Sequence, residues 1–287
     1  MSMPRILITS GDPAGIGPEV ITAALASSEL PDHCIYEWLP VPGGSIPGKP
    51  DQHSARIAWD ALEESARRLN EGSADAVVTG PVSKEQLQAI GFPYPGQTEF
   101  FTDRLKAGET AMCLSGNHLT VGLVTIHIPL ADVARTLSIG KIIAKGKLLA
   151  EFAQRRAGRL PRIAVCGLNP HAGENGAFGS EELEIIAPAI AVLNEGGIAQ
   201  FSGPHVPDAI FRDAVSGKYD AVLCMYHDQG LIPLKLLDFD NAVNITLGLP
   251  KPRLSPDHGT AFAIAGKNIA HHASMLRALQ LAAEMVK

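Results

Sequence analysis

The chain has 287 residues, 46% hydrophobic and 19% charged, with 24 Lys and Arg against 30 Asp and Glu and a net charge of −6. That apolar content supports a sizeable core and excludes wholesale disorder. The lack of a Lys/Arg block argues against nucleic acid as a partner, and no apolar run reaches the roughly 18 residues of a membrane helix. Residues 1–10 read as a short strand with no signal-peptide layout. At roughly 150 residues per domain, the length predicts two domains or one large α/β unit.

In chain order, short apolar runs predict strands at 5–9, 74–79, 111–115, 120–125, 162–166, 221–225 and 242–246. Between and around them, helical patterns cover 18–27, 53–71, 84–89, 99–106, 139–156, 181–194, 207–215 and 271–286. The alternation predicts an α/β protein with a largely parallel sheet. Residues 40–50, dense in Gly and Pro, read as open loop. No sharp linker is visible, so the expected division is a first lobe over 1–138 and a second over 139–287, with the long helix near 138–159 as the bridge and the C-terminal segment free to return to the first lobe. Cys34, Cys113, Cys166 and Cys224 lack CxxC spacing and are expected as buried thiols in a cytoplasmic protein.

In open α/β sheets, ligands bind beyond the carboxyl ends of the strands. Three of the predicted strands are followed there by a histidine: His127, His171 and His227. Three neutral imidazoles at one address can hold a divalent ion with a position left open, and three isolated loop histidines would read the same way. Asp228 either orients a ligand, acts as a base or caps a helix. The segment 11–19, GDPAGIGPE, is either a phosphate cradle or a tight strand–helix turn with Pro18 opening the helix; its glycine spacing is not that of a dinucleotide fingerprint. Lys235, Asn244 and Arg253 follow at nine-residue intervals and read either as an anion clamp or as ordinary surface charge. Thr98 is expected as the cap of the helix starting at Glu99.

Seven segments in order, GDPAGIGPE, TGPVSK, PGQTEFF, GLNPHAGENG, MYHDQGLIPLK, VNITLGLP and DHGTAFAIAGK, run through nearly the whole chain. Together they resemble the 4-hydroxythreonine-4-phosphate dehydrogenase family of pyridoxal phosphate biosynthesis. The resemblance implies two α/β/α lobes with a central cleft, like isocitrate and isopropylmalate dehydrogenases. It implies a homodimer, and a divalent metal (zinc, magnesium or cobalt) on His127, His171 and His227, the last from the partner subunit. Substrate contacts are implied at Gln97, Thr98, Lys235, Asn244 and Arg253. The segment 257–267 also resembles the adenosine-binding loop of isopropylmalate dehydrogenases, which implies NAD or NADP contacts at His258, Gly259, Thr260 and Ala261. The implied reaction is oxidation of 4-phosphooxy-L-threonine by NAD(P)⁺ to a 3-oxo acid that loses CO₂ to give 3-amino-2-oxopropyl phosphate. Asp228 is the candidate catalytic carboxylate.

Three features depart from the family pattern. Gln97 replaces a histidine and cannot carry charge near neutral pH. Ala263 stands where an acidic residue would bind the ribose 2′-hydroxyl, which predicts relaxed discrimination between NAD and NADP. The chain is also several dozen residues shorter than usual members, with the gap expected around residues 36–49. These departures keep a related hydroxy acid open as substrate: a phosphorylated threonate or erythronate, or a carboxylated dihydrodiol.

Overall fold

The computed structural model describes residues 3–287. The elements run β1 (Arg5–Thr9), α1 (Gly17–Leu25), β2 (Ile35–Trp38), α2 (Gln52–Asn70), β3 (Ala76–Thr79), α3 (Lys84–Ala89) and α4 (Gln97–Arg104). Next come β4 (Ala111–Ser115), β5 (Thr120–Leu123), α5 (Val133–Thr136), α6 (Ile139–Ala157), β6 (Arg162–Cys166), α7 (Ala187–Glu195) and β7 (Gln200–His205). The chain ends with α8 (Pro207–Val215), β8 (Ala221–Cys224), α9 (His227–Asp238), β9 (Val243–Leu247), β10 (Arg253–Pro256) and α10 (Ala273–Met285).

The chain forms two compact units, residues 1–108 with 240–287, and residues 109–239. The division expected at 138/139 therefore falls inside the second unit, and the C-terminal segment belongs to the first. The reason is pairing. β4 pairs antiparallel with β5, and β5 parallel with β8, so both earlier strands are claimed by the second unit. The helix expected to bridge the lobes is α6, which packs on β4, β5 and β8 of that unit.

In the first unit the strand order is β2-β1-β3-β10-β9, parallel except for the β10–β9 pair. β1 has an apolar Ile-Leu-Ile centre with no exposure, as a strand covered on both faces requires. α2 starts at a reciprocal capping box, Asp51 accepting from the Ser54 N–H while the Ser54 hydroxyl accepts from the Asp51 N–H. Its buried face joins Leu7, Val77, Phe100 and Phe101 in one apolar cluster. In the second unit the order is β4-β5-β8-β6-β7, parallel from β5 onward. α6 is bounded by Ser138, whose hydroxyl accepts from the Lys141 N–H, and by Gly158 in the left-handed region.

The glycines of residues 11–17 serve close backbone packing, which favours the turn over the phosphate cradle. The Asp12 N–H donates to Pro81 O at 2.9 Å, and a Cβ on Gly11 would lie 2.1 Å from that oxygen. A Cβ on Gly17 would lie 1.9 Å from Ser10 O. Pro18 is in the first turn of α1, whose first residue is Gly17. After β2, residues 39–51 run as a loop to α2, with Gly48 N–H donating to Ala14 O at 2.8 Å. All four cysteines are free and buried.

Candidate active site

In the second unit, β5, β8 and β6 are parallel neighbours, and each delivers one of the three histidines just beyond its carboxyl end. His227 is the first residue of α9. Its ring lies 5.6 Å from that of His127, centroid to centroid. Two imidazoles on one tetrahedral ion place their centroids roughly 5 Å apart, so this pair fits a shared divalent cation. His227 Nδ1 donates to Asp228 Oδ1 at 2.7 Å. That bond leaves the other ring nitrogen, Nε2, as the acceptor of the neutral imidazole. Asp228 is therefore not the cap of α9. Tyr226 holds the cap position, and Asp228 sits in the first turn, where the helix dipole favours an acid. Among the described residues, no group of three or more His, Cys, Asp or Glu is arranged to hold a metal, so His171 does not join the pair within one chain.

His171 opens a left-handed run. Residues 171–176 all have positive φ, with His171 at 53° and Glu174 at 42°. The left-handed conformation costs roughly 1–2 kcal/mol per L-residue, so four non-glycine residues there need strong support. The support comes from Glu182, which is buried. Its Oε1 accepts from the Leu168 and Asn169 N–H groups, both at 2.7 Å, and its Oε2 from Asn169 Nδ2 at 3.0 Å.

The first unit assembles a second constellation around Arg253. This residue lies on β10 and is 3% exposed. Nη2 donates to Thr79 Oγ1 at 2.7 Å and to Gln97 Oε1 at 3.0 Å, and Nη1 to Thr246 Oγ1 at 3.4 Å. The Phe101 ring lies 5.9 Å away. Among the described residues no carboxylate pairs with it. Burial pushes the Arg253 guanidinium down to about 10, against the opposing pull of Glu99. A buried cation surrounded only by hydroxyls and an amide oxygen is incompletely compensated, and can receive an anion. Gln97 is held at its other end, Nε2 donating to Gly80 O at 3.3 Å. Thr98 shares a 3.4 Å hydrogen bond with Thr246 through their hydroxyls. Gln97 and Thr98 form the first turn of α4, whose cap is Gly96; Thr98 is thus not the cap. Asn244 is on β9 with a buried, unpartnered Oδ1. Lys235 is half-buried on α9 in the second unit. The nine-residue spacing therefore places Lys235, Asn244 and Arg253 on three separate elements. Thr79 and Thr246, which complete the guanidinium's surroundings, carried no signal in the sequence beyond lying on apolar strands.

The loop 258–261 follows β10 in the first unit. Ile16 N–H donates to Thr260 O at 2.9 Å, which seats the loop on the β1–α1 turn. Ala261 is left-handed, with φ 44°. His258 Nδ1 donates to Gly259 O at 3.1 Å, and its Nε2 is buried without a partner. Further on, Glu19 Oε2 accepts from the Gly266 N–H at 2.9 Å and the Asn268 N–H at 3.3 Å. The backbone of the loop is thus fixed from below while an imidazole nitrogen stays unsatisfied.

The chain is similar to known proteins over almost its whole length. The family model described as pyridoxal phosphate biosynthetic protein PdxA matches residues 20–282. A 4-hydroxythreonine-4-phosphate dehydrogenase from Erythrobacter litoralis is 44% identical over 322 aligned positions, covering 97% of this chain and 96% of the relative. Since 322 positions are aligned against 287 residues, at least 35 positions of the relative have no counterpart here. The crystal structure of a 4-hydroxythreonine-4-phosphate dehydrogenase from Klebsiella pneumoniae superposes with a TM-score of 0.86 at 36% identity, covering 99% of this chain and all of that one. A terephthalate 1,2-cis-dihydrodiol dehydrogenase from Burkholderia xenovorans is more distant, with a TM-score of 0.72 at 25% identity over 98% of both chains. At 14% identity and a TM-score of 0.54, the fold alone is shared with an isocitrate dehydrogenase. The chain belongs to the pyridoxal phosphate biosynthetic protein PdxA family.

Proposed function

We propose that the protein oxidises 4-phosphooxy-L-threonine with NAD⁺ or NADP⁺ to a 3-oxo acid, which loses CO₂ to give 3-amino-2-oxopropyl phosphate, a step of pyridoxal 5′-phosphate synthesis. The observation that carries this reading is Arg253, a buried guanidinium with no carboxylate partner, ringed by Thr79, Thr246 and Gln97. Such a cation accepts a phosphate or carboxylate oxygen pair in fork geometry, which fixes a substrate bearing both groups. Asn244 and Thr98 offer further hydrogen bonds in the same unit, and Lys235 is assigned to the substrate's second anion. The C3–H bond is thereby oriented for transfer of hydride to the nicotinamide ring, and the hydroxyl proton leaves to solvent.

His127, His171 and His227 are assigned to a divalent ion, which when bound acts as a Lewis acid on the substrate hydroxyl. Asp228 fixes the tautomer of His227 and so acts through that ring. The loop 258–261 is assigned to the adenosine half of the cofactor, with the buried His258 Nε2 as its free hydrogen-bonding atom. The ion is assigned as zinc, magnesium or cobalt; imidazoles suit zinc and cobalt, whereas magnesium would rely on water and substrate oxygens.

The histidine set is completed in a homodimer. Ile232, Leu236, Leu237 and Phe239 are 67%, 85%, 43% and 71% exposed, all on or just beyond α9, the helix that His227 opens. That apolar face fits a second copy. Sharing is tested by mixing His171→Ala chains with His227→Ala chains. If His171 and His227 of one site come from different chains, the mixed dimer regains one intact site, and activity returns; if all three ligands come from one chain, it stays dead. Four buried thiols fit a reducing compartment and a cytoplasmic protein.

The primary test is reduction of NAD⁺ and NADP⁺ by purified protein with 4-phosphooxy-L-threonine and a divalent cation. Turnover that collapses in both Arg253→Lys and His171→Ala supports the assignment. Absence of turnover while cofactor and phosphate still bind refutes it. The dihydrodiol and sugar-acid alternatives are not favoured, because identity rises from 25% for the dihydrodiol dehydrogenase to 36% and 44% for the 4-hydroxythreonine-4-phosphate enzymes.

A further inference from the structure

Two buried polar side chains of the second unit satisfy themselves entirely on the loops that carry the histidines. Gln229 is 7% exposed. Its Oε1 accepts from the Met225 N–H at 2.7 Å, and its Nε2 donates to Gly167 O at 2.8 Å. Met225 follows directly on β8, two residues before His227. Gly167 follows directly on β6, four residues before His171. One amide therefore ties two strand ends together past the point where their ladder stops. The third strand end is tied to the same place. Thr125, two residues before His127, places both its N–H, at 3.2 Å, and its hydroxyl, at 2.7 Å, on Met225 O. All three histidine-bearing segments are thus laced within four residues of their imidazoles, and Gln229 is the side chain that joins the β6 side to the rest.

Glu182 continues the lacing on the far side of Gly167. It is 2% exposed, and among the described residues no cation pairs with it. Its oxygens are spent on Leu168, Asn169 and the Asn169 amide, the residues immediately before the left-handed run. A Cβ on Gly173, within that run, would lie 2.7 Å from Glu182 Oε2, so the carboxylate also forms the surface on which the turn is laid. Two buried polar groups are a costly way to fill a core. Their expenditure on these backbone atoms fits a demand for a fixed loop position.

We infer that Gln229 and Glu182 are positioning residues that hold the His171 segment against the ends of β5 and β8, and so set the affinity of the divalent-ion site that two copies of the chain complete. The inference rests on the assignment of those histidines as ligands. They act without touching the ion or the substrate, through the backbones of the segments they bridge.

The test is calorimetric titration of the full-length protein with Co²⁺, together with the intensity of the visible Co²⁺ absorption band, which reports coordination number. Gln229→Met keeps the side-chain length and removes both hydrogen bonds. It is expected to weaken Co²⁺ binding by roughly 10- to 100-fold, as the loss of a supporting partner does in metal sites. Binding of inorganic phosphate at Arg253, in the other unit, is expected to stay within about twofold, which a general loss of folding would not allow. Glu182→Ala is the second variant. Glu182→Gln, which keeps an acceptor for the Leu168 and Asn169 N–H groups, is expected to restore most of the affinity lost in Glu182→Ala. His171→Ala separates the two levels of the argument. If His171→Ala leaves Co²⁺ binding intact, the ligand assignment fails. If His171→Ala abolishes binding while Gln229→Met and Glu182→Ala bind as the unaltered protein does, the positioning inference is overturned. Loss of phosphate binding in step with Co²⁺ binding in both variants overturns it as well.

Discussion

Replacing Arg253 by Met separates an anion receptor from a structural hydrogen-bond hub. Burial lowers the guanidinium to about 10, so holding its charge in the folded chain costs on the order of 3 kcal/mol, at 1.36 kcal/mol per unit. Its three hydrogen bonds, to Thr79, Gln97 and Thr246, return about 1 kcal/mol each. The two contributions nearly cancel, so urea unfolding of Arg253→Met without ligand is expected within about 1 kcal/mol of the unaltered protein. Phosphate binding is expected to fall at least about 30-fold, since truncating a desolvated charge pair costs 2–5 kcal/mol. Arg253→Lys, which keeps the charge and loses the fork, is expected to fall between the two. The pH dependence adds an independent sign. Above pH 10 the unfolded chain still holds the proton that folded Arg253 releases, so this group makes stability rise with pH there. Phosphate affinity runs the other way and falls as pH passes 10. Calorimetric titration with inorganic phosphate and urea unfolding, on the same samples, measure both quantities. A variant that loses more than about 3 kcal/mol yet still binds phosphate would refute the reasoning.

Three further outcomes are expected. Gly17→Ala drives a Cβ to 1.9 Å from Ser10 O and is expected to cost more than about 3 kcal/mol in urea unfolding, while Gly43→Ala, with open space around its Cβ, is expected to stay within about 1 kcal/mol. Glu37 is pulled down to about 2 from 4.5, first by its hydrogen bonds to Arg68 and then by Arg5. Its contribution is fully present above pH 4.5 and fades as pH falls from 4.5 through about 2. With partly exposed partners it is worth about 1 kcal/mol, so the stability gap between Glu37→Gln and the parent should close by pH 2, and a gap unchanged there would contradict the assignment. With Ala263 in place of an acid, kcat/KM for NAD⁺ and NADP⁺ is expected to agree within about tenfold, and a strong preference for NAD⁺ would count against that argument.

What the sequence made legible follows from how each residue earns its place. β1, β6 and β8 are unbroken apolar runs and read directly as buried parallel strands. α2 and α6 announce themselves through caps as well as periodicity. β10 did not, because its four residues, Arg-Leu-Ser-Pro, follow Pro252 and end in Pro256, and a buried arginine looks like surface charge until its surroundings are known. β2 is a four-residue edge strand with little full burial, and β7 contains Gly203-Pro204. α9 was hidden by Gly230 and Pro233, two residues that argue against a helix interior. Among the site residues, the placement of each histidine just beyond a strand end was visible in the sequence, but only His127 and His227 approach one another within the chain. The left-handed run at 171–176 was not visible, although its Asn and Gly content is the composition such backbone favours. Glu182 and Gln229 were missed for a different reason. Their partners are backbone atoms 13 or 14 and 62 residues away, and no local pattern encodes such a bond.

The interrupted course of the first unit has a consequence for synthesis. Residues 109–239 form a contiguous stretch and hold the neighbouring strands β4-β5-β8-β6-β7, so the second unit has its strands together as soon as it has left the ribosome. The first unit begins earlier and finishes last. Until residues 253–256 appear, β3 presents an unpaired edge, and β1 and β3 lack the packing that α10 later supplies. The bond from Arg253 to Thr79 spans 174 positions. Nascent chains stalled before residue 250 therefore carry a finished second unit and an adhesive, open first one, which makes the synthesis of residues 250–285 the interval in which chaperone demand is greatest.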